Sequence, residues 1–358
     1  MKKALALVLA LCMIFALCAC GSESTSAAST TEAAASTDAA ASTETAAEPA
    51  ASAETITFTL ALVDNEQSNY YKGACAIADK VAEATNGQIK IDVKAGGTLG
   101  GEADTLDMAI QGDLAIATCA NSVLANYIPE MSVLDQAFLW DSADQANYAV
   151  QHELGDLINA KAEALGIHVI GYMESGFRDC FTKKPINSIE DFAGIKIRTM
   201  QNDGQLQAFT SFGANPVALA AGEQFTALQQ GTIDACENAV SNCWVNKFYE
   251  AGITNVTNTH HSFVYIALCM SDNAWNQIPE DLREAFSAAV WEGCAMQWQY
   301  LVEANEEAIS LLEGVGVTVS DIDREPLKAA YEAQREKDGT TYDPEWVAAV
   351  TAAQNAVA

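Results

Sequence analysis

Only five arginines occur in the 358 residues, at positions 178, 198, 283, 324 and 335, and none precedes Arg178. A guanidinium holds a carboxylate through two parallel charge-assisted hydrogen bonds, which the ammonium of a lysine cannot reproduce. Arg178 follows the apolar run 167–173, in Gly176-Phe177-Arg178. Arg198 ends Gly194-Ile195-Lys196-Ile197-Arg198, where strand alternation puts Ile195 and Ile197 on one face and Lys196 and Arg198 on the other. Spacing alone leaves two readings open: a pair that grips a carboxylate, or surface partners for the many acids.

Other chemistries are poorly represented. His152-Glu153 has no second histidine four residues on, as a zinc-protease helix needs. The adjacent His260 and His261 point to opposite faces of a strand, so they do not form a chelating pair. Gly96–Gly101 is glycine-rich but lacks the lysine and hydroxyl that close a phosphate loop, and no Gly-x-Ser-x-Gly elbow or dinucleotide fingerprint occurs. The expectation is a binding protein with no catalytic residue, metal or cofactor. A net charge of −30 excludes a basic nucleic-acid footprint. It also means that an anion site needs local cations, because the overall field opposes an anionic ligand.

The elements that must position these arginines read as short apolar strands alternating with helical patterns from residue 55 onward. Strands are expected at 56–63, 89–93, 114–118, 167–173, 194–199, 215–219 and 232–234. Helices are expected at 70–85, 102–111, 142–165, 188–193, 202–212 and 222–230. That alternation argues for an α/β architecture with mainly parallel sheets. The longest helical stretch runs from about Pro279 to Gly314, with proline at its start and glycine at its end. Its length suits a strut across two lobes. Seven cysteines follow residue 54, at 75, 119, 180, 236, 243, 269 and 294, mostly within apolar runs and without a Cys-x-x-Cys pair. They read as buried thiols, not a disulfide framework.

The N-terminus carries Lys2 and Lys3 before an uncharged apolar run to Ala19, the layout of a secretory signal peptide. Leu17-Cys18-Ala19-Cys20-Gly21 resembles the lipobox of bacterial lipoproteins, which implies cleavage after residue 19 and acylation of Cys20. Residues 21–54 are Ser, Thr, Ala, Gly, Pro and acids with no Lys, Arg or aromatic residue, a composition that reads as a disordered tether. The expected location is outside the cytoplasmic membrane, anchored through that lipid.

Several runs, taken in order, resemble the substrate-binding subunits of tripartite ATP-independent periplasmic (TRAP) transporters, of the dicarboxylate-receptor type. They are Ala95–Glu102, Pro129-Glu130-Met131 with Phe138-Leu139, Lys184-Pro185-Ile186, Gly194–Arg198, Gly213–Pro216 and Ala227–Asp234. The resemblance covers about residues 56–300. It implies a two-lobed fold of the periplasmic-binding-protein type, with an interlobe cleft and the long helix spanning both lobes. Residues 55–176 with 264–303 would form lobe I, and 177–263 with 304–358 lobe II. By the same resemblance Arg198 is the principal carboxylate-binding arginine, Arg178 a second contact, and Asn238 a polar contact with Glu237 beside it. Asn65 and Glu66 close the first strand, as first-lobe ligand contacts or simply as a helix-capping turn. The departure from the family pattern is Ala235-Cys236, where glycine is common. The implied function is capture of a small organic acid by hinge closure and delivery to a small and a large membrane subunit driven by an ion gradient. The alternatives are a receptor of the same fold that signals to a membrane sensor kinase, and an exported enzyme.

Overall fold

The computed structural model describes residues 55–357; the signal segment 1–19, Cys20 and the tether to residue 54 lie outside the described residues. The first sheet holds β1 (Ile56–Ala61), β2 (Ile89–Lys94), β3 (Ile116–Ala120), β4 (Ile167–Phe177) and β10 (Phe263–Ser271), in the order β2-β1-β3-β10-β4. The second holds β5 (Asp179–Thr182), β6 (Lys196–Thr199), β7 (Asn215–Ala218), β8 (Ala235–Asn238), β9 (Asn255–Asn258) and β11 (Thr318–Asp321), in the order β11-β9-β5-β8-β6-β7. This is the expected two-lobed α/β fold, but the sheets are mixed. β1 runs parallel to β2 and β3, whereas β10 is antiparallel to both its neighbours and β5 to both of its own. The reason is the pair of crossings. The chain leaves the first sheet through β4 into β5 and returns through β9 into β10, so each sheet receives one strand entering against the others.

The two crossings are tied together: Arg178 N donates to Ser262 O at 2.9 Å, and His261 N to Arg178 O at 3.2 Å. A one-residue step from β4 to β5 therefore places Arg178 at the junction of the two sheets. The helix Arg283–Gly314 is the expected strut of 32 residues, about 48 Å at 1.5 Å per residue. Phe286, Val290 and Cys294 join the core of the first sheet, and Leu312 joins a core of the second.

Against helix Asn69–Ala84 the strut approaches without room for a side chain. A Cβ on Gly293 would lie 2.6 Å from Ile77 Cα and 2.8 Å from Ile77 N. Alanine favours a helix by about 1 kcal/mol over glycine, but overlap with a neighbouring backbone costs about 1–3 kcal/mol. Gly293→Ala is thus expected to lower the thermal midpoint by up to about 3 °C; a rise would show that the two helices can part freely.

Three sequence expectations need correction. The helix expected at 142–165 is two, Ala143–Gln151 and Glu153–Glu163, broken at His152, whose ring Nδ1 contacts Tyr148 O at 2.8 Å. The strand expected at 232–234 is β8, Ala235–Asn238, because Thr232 N and Ile233 N still turn back onto Ala227 O, at 3.0 and 3.4 Å, and prolong the turn. The C-terminal helix Pro344–Ala356 was placed with the second lobe, yet Trp346, Ala349, Val350 and Ala353 pack into the first core. Its apolar stripe is filled by helix Ala143–Gln151, a partner far away in sequence. All seven described cysteines are unpaired; Cys75 is half-buried and the rest are buried.

Candidate functional site

Three charged side chains meet at the junction of the sheets. Arg178, at the crossing, donates from Nε to Glu237 Oε2 at 2.8 Å and from Nη2 to Glu237 Oε1 at 3.1 Å. Its Nη2 also donates to Glu237 O at 3.0 Å, and its Nη1 to Ser175 Oγ at 2.6 Å. Arg198, at the end of β6, donates from Nη1 to Glu237 Oε1 at 3.1 Å and from Nε to Leu219 O at 2.9 Å. Glu237 is on the neighbouring β8 and is fully buried; Arg178 and Arg198 are 4 % and 3 % exposed. Burial alone would push the Glu237 carboxyl up. Arg178, then His261 and Arg198, outweigh it and hold the group at about 2. Two guanidinium ions and one carboxylate leave one positive charge uncompensated within the cluster. The Nη2 of Arg198 has no acceptor among the described residues.

Two adjoining cavities share Glu102, Arg198, Met200 and Ala221 in their walls. The inner one, about 40 Å³, is faced by Asp64, Tyr70, Ser175, Arg178, Asn238 and Asn242 among others. That is little more than the volume of one water molecule, roughly 30 Å³. The outer one, about 510 Å³, is walled by the glycine turn 96–101, Gln201 and Leu219–Gly222. At Gly96, Gly97 and Gly100 the backbone has φ of 72°, 65° and 127°, a region that side chains disfavour, so bare main chain forms that wall. Burial, with Glu102 adding to it, raises Asp64 to about 7 against the pull of Arg178. Burial also raises Glu102, whose Oε1 accepts from Ala120 N at 3.1 Å. Hydrogen bonds cross from one sheet's side to the other's around this space. Asn242 Nδ2 donates to Tyr70 Oη at 3.0 Å, and Asn202 Nδ2 to Asp135 Oδ2 at 2.9 Å.

Residues 60–338 match the family model described as bacterial extracellular solute-binding protein, family 7. The chain belongs to that family. This solute-binding protein is 27 % identical over 254 residues to the 2,3-diketo-L-gulonate-binding periplasmic protein of Escherichia coli, covering 70 % of this chain and 77 % of that one. Among solved structures it is similar to a TRAP periplasmic solute-binding protein of Xanthobacter autotrophicus with bound β-D-galacturonate. There the identity is 26 % and the TM-score 0.78, over 83 % of this chain and 99 % of that one. The sugar acid binding protein of Advenella mimigardefordensis, in complex with galactonate, gives the same identity and TM-score over 85 % and 99 %. The chain is accordingly an extracytoplasmic solute-binding protein of the TRAP type.

Within this solute-binding protein, Arg178, Arg198, Glu237 and Asn238 come together. Glu237, however, does not face either cavity; it lies behind the arginines as their shared counter-ion. Asn238 accepts through Oδ1 from Ala239 N at 2.9 Å and Asn242 Nδ2 at 2.7 Å, which leaves its own amide group as a donor at the cavity wall. Asn65 and Glu66 are not brought to the site. Asn65 Oδ1 accepts from Gln67 N at 2.9 Å, closing the turn before helix Asn69–Ala84, and Glu66 is exposed. Their neighbour Asp64 faces the inner cavity instead, together with Tyr70 and Glu102. No sequence signal marked Asp64, and Glu102 stood out only as the last residue of the glycine-rich run; only the meeting of the turns after β1 and β2 brings the two acids to one cavity. Trp140 and Tyr265 are core residues, and Trp244 stacks on Tyr249 at 5.1 Å, so none of the three walls the cavity.

Proposed function

We propose that the inner cavity takes the carboxylate of a small organic acid, with Arg198 as its grip, Asn238 as a neutral donor and Arg178 as a fixed positive neighbour. The observation that carries this reading is the Arg198 guanidinium: 97 % of its residue surface is out of solvent, yet Nη2 has no protein acceptor and the residue lines both cavities. Nη2 keeps access to the cavity, where an acid's oxygen would replace water and add a charge-assisted hydrogen bond of about 1.5–3 kcal/mol. The sugar acids bound by the two solved relatives support the same class. Binding would favour a closed arrangement, because an acid touching both sides has more contacts there than in an open one. The crossing segments at Arg178 and His261 would serve as the hinge. The protein would be acylated at Cys20 and would pass its ligand to small and large TRAP membrane subunits.

A thermal-shift screen against organic acids and neutral controls tests this. An acid at a hundred times its dissociation constant adds about 2.7 kcal/mol to stability, or a rise of roughly 4 °C. A rise confined to acids supports the reading. No rise with any acid, in folded protein freed of bound ligand, removes it.

A further inference from the structure

Which acids fit can be argued from the charges around the two cavities, and this step rests on the carboxylate reading above. The cationic side chains in the walls are Arg178 and Arg198 alone among the described residues, and both already share Glu237. Facing them are three acids: Asp64 in the inner wall, Asp104 in the outer and Glu102 in both. A ligand whose carboxylate meets Arg198 must extend into the outer cavity, past Glu102.

A second carboxylate there would find no cation. The start of helix Glu102–Gln111 would ordinarily attract an anion, with a dipole worth about half a positive charge. Here its own first turn carries two acidic side chains, Glu102 and Asp104. Asp104 Oδ2 accepts from Gly101 N at 3.0 Å, so a backbone donor that an anion would use is occupied.

Hydroxyl groups meet the opposite situation. Glu102 spends one oxygen on Ala120 N and keeps the other. The Asp64 carboxyl takes no hydrogen bond from any other described side chain or backbone group. The glycine turn adds main chain without side chains in the way. An aromatic acid gains nothing, since Tyr70 is the single aromatic residue in either wall.

We propose that Asp64 and Glu102 are specificity residues that accept hydrogen bonds from hydroxyls of the ligand, so that the protein selects hydroxylated monocarboxylates and rejects dicarboxylates of the same length. Glu102 is the element that rejects: its charge repels the distal carboxylate while its free oxygen serves a hydroxyl.

Calorimetric titration at pH 7 of the wild type, Glu102→Gln, Asp64→Asn and Arg198→Lys tests this. The probes are a six-carbon polyhydroxy monocarboxylate, the unsubstituted monocarboxylate and dicarboxylate of that length, and the six-carbon ω-amino acid. The polyhydroxy acid should bind the wild type about tenfold or more tighter than each of the other three. Glu102→Gln keeps an acceptor for Ala120 N and should shrink its advantage over the dicarboxylate about tenfold; Asp64→Asn should shrink its advantage over the unsubstituted monocarboxylate. A dicarboxylate or ω-amino acid that binds the wild type as tightly as the polyhydroxy acid overturns the proposal. So does a preference unchanged in both acidic-residue variants. In each of those results Arg198→Lys still shows whether a carboxylate is gripped, so the underlying reading is judged separately. If no probe binds, both fall.

Discussion

Arg198→Lys is expected to weaken acid binding by about 10- to 100-fold while the protein still folds. Each hydrogen bond from a charged donor is worth about 1.5–3 kcal/mol, and lysine offers a point charge in place of a fork. Lysine keeps a positive charge beside Glu237, so the buried carboxylate retains two cations. What the fold loses is the bond from Arg198 Nε to Leu219 O, 2.9 Å long, worth about 1.5–3 kcal/mol because the donor is charged. Arg178→Lys should behave in the opposite sense. The fork of Arg178 closes on Glu237 through Nε and Nη2, so the change should cost more in stability than in affinity. Titration of the ligand and thermal unfolding of both variants separate the two roles; unchanged affinity in Arg198→Lys would take that residue out of the site.

Glu237→Gln is expected to cost the fold most, about 3–5 kcal/mol, because removing one partner of a buried ion pair strands the other. Here it strands two guanidinium groups that are 4 % and 3 % exposed. For a chain of this size that is a fall of roughly 5–8 °C in the thermal midpoint. A saturating acid should recover part of the loss, since its carboxylate returns a negative charge to the pair.

The pH dependence follows from the same cluster. Folded Glu237 titrates at about 2 against an ordinary 4.5. A depressed carboxyl contributes stability that is complete above about 4.5 and lost as pH falls toward 2, where the folded state also takes up the proton. The gap in midpoint between wild type and Glu237→Gln should therefore be widest above pH 4.5 and close toward pH 2. A gap that stays constant across that range would mean that Glu237 is not the charged partner of the arginines.

How much of this was legible in the sequence differs by level. Strand alternation at Ile195-Lys196-Ile197-Arg198 put Arg198 on the face away from the core, and β6 does present it there, beside Glu237 of β8. The helix from Arg283 was readable as a strut because its length exceeds what one lobe can cover. Periodicity reports only whether a face is buried, not what buries it. Hence the C-terminal helix was assigned to the wrong side: Trp346 and Val350 declare an apolar stripe, and the first-core partner that fills it lies some two hundred residues earlier.

The site divides in the same way. Sequence by itself narrowed a bidentate anion grip to Arg178 and Arg198, because no other arginine occurs before residue 283, and left open whether the pair meets a ligand or the protein's own acids. It also determined an α/β chain, since alternating strand and helix periods are local patterns. Tertiary structure alone decided that Glu237 stands behind the arginines as their counter-ion, that Asn65 and Glu66 turn away into a cap, and that Asp64 and Glu102 face the cavity. Those outcomes depend on how β1, β2, β6 and β8 are brought together by two sheets and their crossings. Charge partners are set by distance in space, and a one-dimensional pattern carries no distance between residues 64, 102, 178 and 237.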